Sequence, residues 1–204
     1  VANIIRRMII TGELQAGSPI SERQISQSLG VSTTPVKEAF RILESEGLLF
    51  SVARKGSFIS EFSKKNMLQI VFMRSSLEGV AAYFAAMNAT EEDLAAMEEA
   101  LVRSGQIIAE DELSPDIAEY NEQFHHNLRL ACKNDYLVSL IRNMRSVDDT
   151  VRQVAATSTQ VEPPRAHKEH LAILQAIREK DCSRAEQLMV EHIRRVGEFV
   201  LFRD

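Results

Sequence analysis

Asparagine and histidine occupy positions in three separate stretches where aliphatic residues are expected. Asn121 and His125 stand four residues apart on a stripe continued by Leu128 and Cys132. His170 shares a face with Ile173, Leu174 and Ile177, and His192 lies between Leu188 and Val196. At helical spacing these polar side chains project inward with their apolar neighbours. A buried imidazole needs a partner. One inward histidine is ordinarily a hydrogen-bonded core residue. Three on three helices can be satisfied together by one divalent ion, because neutral imidazole suits zinc, nickel and similar metals. Two readings stand, a shared metal site or three core histidines with separate partners. His126 lies about a quarter turn from His125 and is expected at the surface, while His167, one turn before His170, competes with it.

A second set of residues carries the chemistry of nucleic-acid contact. Thr33, Thr34, Lys37, Glu38 and Arg41 lie close together, and hydroxyl and basic groups suit phosphates and base edges. Arg23 precedes them, and Lys55 with Gly56 forms a basic turn after them; each also reads as an ordinary solvated surface residue. Arg74 shares a stripe with Ile70, Leu77 and Ala81. It can pair with Glu78 at i, i+4 or aim its fork at a ligand carboxylate. Arg145, at the edge of an apolar stripe over 134–158, is a second candidate for that ligand.

These side chains need elements to hold them. From Ser21 to Gly47 the chain reads as two helices and a tight turn. Ser21 with Gln24 has capping-box spacing, and Ile25 and Leu29 form a short apolar stripe. Gly30 stops the first helix and Val31 plugs the turn. Thr33 or Thr34 caps the second helix with Pro35 at its first position, and Val36, Phe40 and Leu43 face inward. This is a helix-turn-helix, whose second helix offers its N-terminal residues to a major groove. Residues 2–11 form an earlier helix with Arg6 and Arg7 on its polar side, followed by a loop to Ile20. Leu48–Val52 and Gly56–Ser60 are β-compatible runs around the tip Ala53–Arg54–Lys55, a hairpin that forms a wing. Beyond residue 62 no strand signal remains. Six helices are expected, at about 64–88, 90–109, 114–132, 134–158, 163–179 and 181–202, packed as an antiparallel bundle. The fold class is mostly α, with 1–62 a winged helix-turn-helix and 63–204 all-helical.

Composition agrees with this division. The chain has 204 residues, 45% apolar and 26% charged, with a net charge of −5. Residues 1–60 hold seven Lys/Arg against five Asp/Glu and the remainder seventeen against twenty-four, so the basic excess lies in the part proposed to touch DNA. That excess is small, and a dimer would double it. No apolar run of the ~18–20 residues needed for a membrane span is expected, and no signal-peptide pattern opens the chain. Val1 is not an initiator, so a few residues are expected to precede it. Cys132 and Cys182 lack metal-ligand spacing and read as buried thiols in a reducing compartment.

Residues 4–60 resemble the winged-helix domain of GntR-type bacterial transcription regulators. The matching residues include Gly12, Leu14, Gly17, Ser21–Glu22–Arg23, Leu29–Gly30–Val31–Ser32, Thr34–Pro35–Val36, Glu38–Ala39, Arg41 and Glu46–Gly47–Leu48. Thr33 and Lys37 stand where that family usually has arginine, which removes two forks able to pair with guanine. The resemblance favours a DNA contact for Arg23. Residues 66–200 resemble the ligand-sensing domain of the FadR branch of that family, called FCD. It rests on Arg74, Leu77–Glu78, Asn121–Glu122–Gln123–Phe124–His125, Glu169–His170 and Glu191–His192–Ile193. In metal-binding FCD domains an aspartate and three histidines hold the ion. The resemblance carries these roles onto Asn121, His125, His170 and His192, with an amide replacing the usual carboxylate. It also implies a small carboxylate effector bound by the metal and nearby arginines, with Arg74 and Arg145 as candidates. It further implies a cytoplasmic homodimer, most often a repressor, on double-stranded DNA carrying a short inverted repeat.

Three histidines with an open position could instead activate water in a metal-dependent hydrolase. A general base is missing from that reading. Glu122, Glu169 and Glu191 each adjoin a residue of the metal face and are expected to point elsewhere. A winged helix used for protein contacts is a third reading, which the shared basic surface of Arg23, Lys37, Arg41 and Lys55 argues against.

Overall fold

A computed structural model of the protein describes residues 1–60, 64–110, 114–143, 155, 159 and 161–202. The chain divides into two units, Val1–Leu68 and Gln69–Asp204.

In the first unit the order is α1 (Ala2–Ile10), β1 (Pro19–Ile20), α2 (Glu22–Leu29), α3 (Thr33–Ser45), β2 (Leu49–Val52) and β3 (Gly56–Ile59). Ile5, Ile9, Ile25, Val36, Phe40, Leu43, Leu48 and Ile59 fill its core. The sheet is antiparallel, β1-β3-β2, with Phe50 opposite Phe58 and their rings stacked. The expected loop up to Ile20 thus ends in a two-residue strand that pairs with the outer side of the wing. Gly30 adopts φ 66°, the left-handed conformation that lets α2 stop and α3 leave at an angle.

Local details depart from the expected capping. Ser21 is the N-cap of α2 but its side chain makes no cap hydrogen bond. Ser32, in extended conformation, is the N-cap of α3, so Thr33 and Thr34 already lie in the helix and Pro35 is its third residue. A proline there still loses no helical hydrogen bond, because the first four N–H groups have no intrahelical partner. Val31 is exposed rather than plugging the turn, which is closed by a bond from Ser26 Oγ to its carbonyl at 2.7 Å.

Arg6, expected on the polar side of α1, is buried. Its Nε and Nη2 donate to the two carboxylate oxygens of Glu46 at 2.9 and 2.7 Å, and its Nη1 donates to Asn3 Oδ1 at 2.6 Å. The planar fork explains why an arginine is placed against the end of α3. Arg6→Ala is expected to destabilise the first unit by about 1.5–3 kcal/mol, the range for hydrogen bonds to charged groups. Arg7→Ala, at an exposed position, should stay within about 0.5 kcal/mol. Denaturant melts of both variants check this; equal midpoints would show that the fork contributes nothing.

In the second unit the helices are α4 (Lys64–Asn88), which starts within the first unit's range, α5 (Glu91–Ala109), α6 (Pro115–Ala131), α7 (Asp135–Asn143), α8 (Glu162–Arg178) and α9 (Cys182–Leu201). The break before α5 carries a full capping box between Thr90 and Asp93. Ser114 and Asp181 cap α6 and α9 with their side chains. Of the helix expected over 134–158, α7 accounts for the first part; the rest, with Arg145, lies outside the described residues apart from Ala155.

Neighbouring helices run antiparallel, as their cross-contacts show. Ser104 of α5 meets His167 of α8 while Glu98 meets Arg178. Ala96 of α5 meets Asn127 of α6 while Asp93 meets Lys133 just beyond it. Between α4 and α9 the approach is close. A Cβ on Gly79 would lie 2.6 Å from Val190 Cγ2, and one on Gly197 would lie 2.5 Å from Val71 Cγ1. Each helix therefore offers a glycine to the other's valine.

The stretch Leu68–Asn88 of α4 is long and apolar enough to cross a membrane by length and composition alone, contrary to the expectation that no such run exists. Half of it is buried inside the protein, where Val71, Ala81, Ala82, Ala85 and Ala86 pack. The same helix carries a buried ion pair, Arg74 with Glu78. Cys132 is buried as expected, while Cys182, at the first position of α9, is only half-buried.

Candidate metal centre and nucleic-acid interface

Three of the bundle helices deliver one histidine each to a common point. Leu128 and Phe124 bury the inner face of α6, Ile173 and Leu174 that of α8, and Met189 and Val196 that of α9. Packing those apolar stripes together carries the imidazoles of His125, His170 and His192 inward, to 0%, 1% and 4% exposure. One ring nitrogen from each lies within 4.8 Å of the others. Nε2 of His170 and Nε2 of His192 are 3.0 Å apart.

A cavity of about 20 Å³ opens beside them, room for an ion or a water and little more. Asn121 lines it, and its buried Oδ1 accepts no hydrogen bond from any described residue. A buried oxygen acceptor left without a donor next to converging imidazole nitrogens is the donor set a divalent cation requires. The residues present therefore fit a metal. His126 is exposed, as its angular offset predicted. His167 turns away to α5, where Ser104 Oγ lies 3.1 Å from its Nδ1, and burial pushes its pKa below the usual histidine range.

The carboxylates depart from expectation. Glu122 does point away, to Arg129 at 2.7 Å, and Glu191 is exposed. Glu169 does not: its Oε2 is 2.7 Å from Nδ1 of His192. A side chain one residue before His170 leaves α8 about 100° round from it, and glutamate is long enough to reach the neighbouring helix. Arg195 holds the same carboxylate with two bonds, Nε to Oε1 at 2.6 Å and Nη2 to Oε2 at 2.7 Å. Its Nη1 also lies 2.7 Å from Glu162 Oε1. Glu162, buried at the start of α8, lines the histidine cavity. Burial alone would raise the Glu169 carboxyl, but the bonds from His192 and Arg195 outweigh it and bring the pKa down to about 2. Glu162, Glu169 and Arg195 were not expected at the site. The adjacent acid and histidine in Glu169–His170 were the available signal.

Arg74 is not among the cavity-lining residues. Its Nη2 donates to Glu78 Oε1 at 2.7 Å, and Arg129 Nη1 donates to the same oxygen at 2.9 Å. All three side chains are buried, so the ion-pair reading describes the Arg74 interaction that is formed.

In the first unit, burial of Val36, Ala39, Phe40 and Leu43 turns Thr33, Thr34, Lys37, Glu38 and Arg41 of α3 to the outside. Lys37 and Arg41 border one groove with Glu44, and Arg23 and Lys55 with Gly56 border a second. Glu22 and Ser57 are common to both, so the four cations flank one continuous surface. Arg54, also exposed at the tip of the wing, takes the left-handed conformation at φ 65° and is a further cation there. An exposed helix N-terminus of hydroxyls and cations beside a basic hairpin is the form that enters a major groove while gripping the flanking backbone.

Known proteins show the same organisation. Residues 1–59 match the family of bacterial regulatory proteins, gntR family, and residues 69–195 match the FCD domain. The HTH-type transcriptional repressor RspR of Escherichia coli (strain K12) is 28% identical over 201 residues, 98% of this chain and 87% of that protein. The probable D-xylose utilization operon transcriptional repressor of Paenarthrobacter nicotinovorans is 31% identical over 196 residues, 95% of this chain and 84% of that one. Among solved structures, E. coli McbR/YncC has a TM-score of 0.70 over 99% of this chain and 95% of that chain at 22% identity, a likeness of fold. These families and relatives are regulators of transcription, not enzymes, which leaves the hydrolase reading without support.

Proposed function

The chain belongs to the GntR family of bacterial regulatory proteins, with an FCD domain following its helix-turn-helix, and from that premise we propose a repressor whose hold on DNA is set by a small carboxylate at a metal site. That it is a DNA-binding transcription regulator follows from the family. The finer reading is carried by one observation: three imidazole nitrogens within 4.8 Å of one another beside the Oδ1 of Asn121, which accepts no hydrogen bond from any described residue.

In this reading His125, His170, His192 and Asn121 hold a divalent ion, zinc or nickel by the softness of the donors. When bound, the ion supplies a positive centre that attracts an anionic ligand. Three imidazoles and an amide are all neutral, so the protein leaves the ion's charge uncompensated and an acid can supply it. Glu162 already meets Arg195 at the cavity wall. Arg23, Lys37, Arg41, Lys55 and Gly56 meet the DNA backbone, and Thr33 and Thr34 face base edges. A homodimer pairs two recognition helices with the halves of a short inverted repeat. The relatives described as repressors support repression. A transcription regulator acts where the chromosome is, in the bacterial cytoplasm.

The test is DNA affinity of the chelator-treated protein, before and after adding zinc or nickel, against a panel of two- to six-carbon carboxylates. An effector is expected to change affinity about 5–150-fold, the usual span of coupling between two sites. Affinity indifferent to both metal and acids would overturn the regulatory reading and leave DNA binding standing. Arg74→Met, included in the same series, is expected to keep the acid response and lose about 3 kcal/mol of stability, since it leaves Glu78 buried with one partner fewer. Loss of the response at unchanged stability would instead assign Arg74 to the effector.

A further inference from the structure

We propose that Glu169 is the positioning residue of the metal site: its carboxylate fixes His192 in the tautomer that turns the Nε2 lone pair toward His125 and His170. The inference rests on the metal reading above and concerns a residue outside the ligand set.

The geometry leaves His192 few choices. Its Nδ1 lies 2.7 Å from Glu169 Oε2 and its Nε2 lies 3.0 Å from Nε2 of His170, so one ring edge faces the carboxylate and the other faces the site. An ionised carboxylate only accepts hydrogen bonds. The proton must therefore sit on Nδ1, and in neutral imidazole Nε2 then carries the lone pair. Metal-bound histidines characteristically give their other N–H to such an acceptor, which sets the ring plane and raises the basicity of the ligating nitrogen.

Glu169 is itself held. Arg195 grips it bidentately at 2.6 and 2.7 Å, and Arg165 approaches from the outer side at 3.6 Å. The Arg195 fork keeps the carboxylate in place against His192 and ionised, because two charge-assisted donors favour the anion. Glu169 does not belong to the converging group of ligand atoms, so it acts on the site through His192 and not as a ligand. One helix, α8, thus supplies both an inward imidazole, His170, and, from the preceding residue, the partner that orients the imidazole of α9.

Two measurements test this. The first reads the tautomer of His192 in the metal-free protein by ¹⁵N–¹H correlation of the ring. Wild type should show Nδ1–H, and Glu169→Ala a mixture weighted to Nε2–H. Nε2–H in wild type, or an unchanged tautomer in Glu169→Ala, would overturn the inference whatever the fate of the metal. The second is cobalt(II) affinity by its visible d–d absorption. Glu169→Ala should weaken it about 10–100-fold. Glu169→Gln, which keeps a carbonyl acceptor but no charge, should fall between, with a shifted d–d band. Glu191→Gln, an exposed neighbour of His192, should match wild type. Equal affinity in wild type and Glu169→Ala also overturns it. Failure of wild type to bind any cobalt overturns the metal reading itself, and the tautomer of the metal-free protein separates that outcome from a failure of Glu169.

Discussion

A variant carrying Arg23→Ala, Lys37→Ala, Arg41→Ala and Lys55→Ala is expected to bind DNA selected by the wild type more than about a thousandfold less tightly. The four side chains flank one surface formed by α2, α3 and the hairpin. At about 1 kcal/mol or more for each charge-assisted bond to phosphate removed, the four together exceed about 4 kcal/mol, which is three decades. The salt dependence separates the roles. Removing a side chain that neutralises a phosphate should shallow the slope of log affinity against log salt by about 0.9. Removing one that reads a base should leave the slope and relax the preference at one position. Thr33→Ala and Thr34→Ala belong to the second kind, since a hydroxyl carries no charge to release counterions. Unchanged affinity and slope in the quadruple variant would show that another face meets DNA.

His170→Ala is expected to purify without the ion that wild type retains after exhaustive dialysis, at close to one per chain. Removing one of three imidazoles leaves too few donors for tight binding of a four-coordinate metal. The loss should also lower the melting temperature, because a ligand present at about a hundred times its dissociation constant adds about 2.7 kcal/mol to the folded state. His126→Ala should change neither quantity, since its ring is exposed. Asn121→Asp should tighten the ion by supplying a negative oxygen and weaken an acid that competes to supply the same charge. Equal metal in wild type and His170→Ala, or none in wild type after zinc or nickel is offered, would return the three histidines to the core.

Part of the fold and of the site is legible in the residues and part is not, for physical reasons. Periodicity reports which face of a helix a residue occupies, and it brings His125, His170 and His192 together and sends His126 outward. The winged helix is readable because glycine at Gly30 and the basic turn at Lys55–Gly56 are local signals. Periodicity does not report reach. Arg6 leaves α1 on what looks like its polar side and is buried because its stem is long enough to fork onto Glu46 of a distant segment. Glu169 leaves α8 away from the cavity and still touches His192 on the next helix. Arg74 illustrates the converse. Its i, i+4 partner is visible in the sequence, but that Arg129, 51 residues beyond Glu78, shares the same oxygen is not. The strand at Pro19–Ile20 leaves no mark in the sequence because two residues cannot show a period of two.

The reciprocal glycines between α4 and α9 bear on how a signal can leave the histidine cavity. Val71 and Gly79 are eight residues apart, about 12 Å along α4; Val190 and Gly197 are seven apart, about 10.5 Å along α9. The two notches match their pegs at one register of the antiparallel pair. A ratchet of α9 by one turn, about 5.4 Å, would lift both valines out of both glycine gaps at once and set them against neighbouring side chains. His192 lies between the peg Val190 and the notch Gly197 on α9. The helix that carries it is thereby denied the sliding movement by which many helical pairs switch. What remains open is a change of tilt about the paired glycines and valines, or rearrangement of side chains around a fixed backbone. Gly79→Ala and Gly197→Ala would act on the same constraint by wedging the helices apart, so a regulator altered there would be changed in its mechanics while every ligand-contacting residue kept its identity.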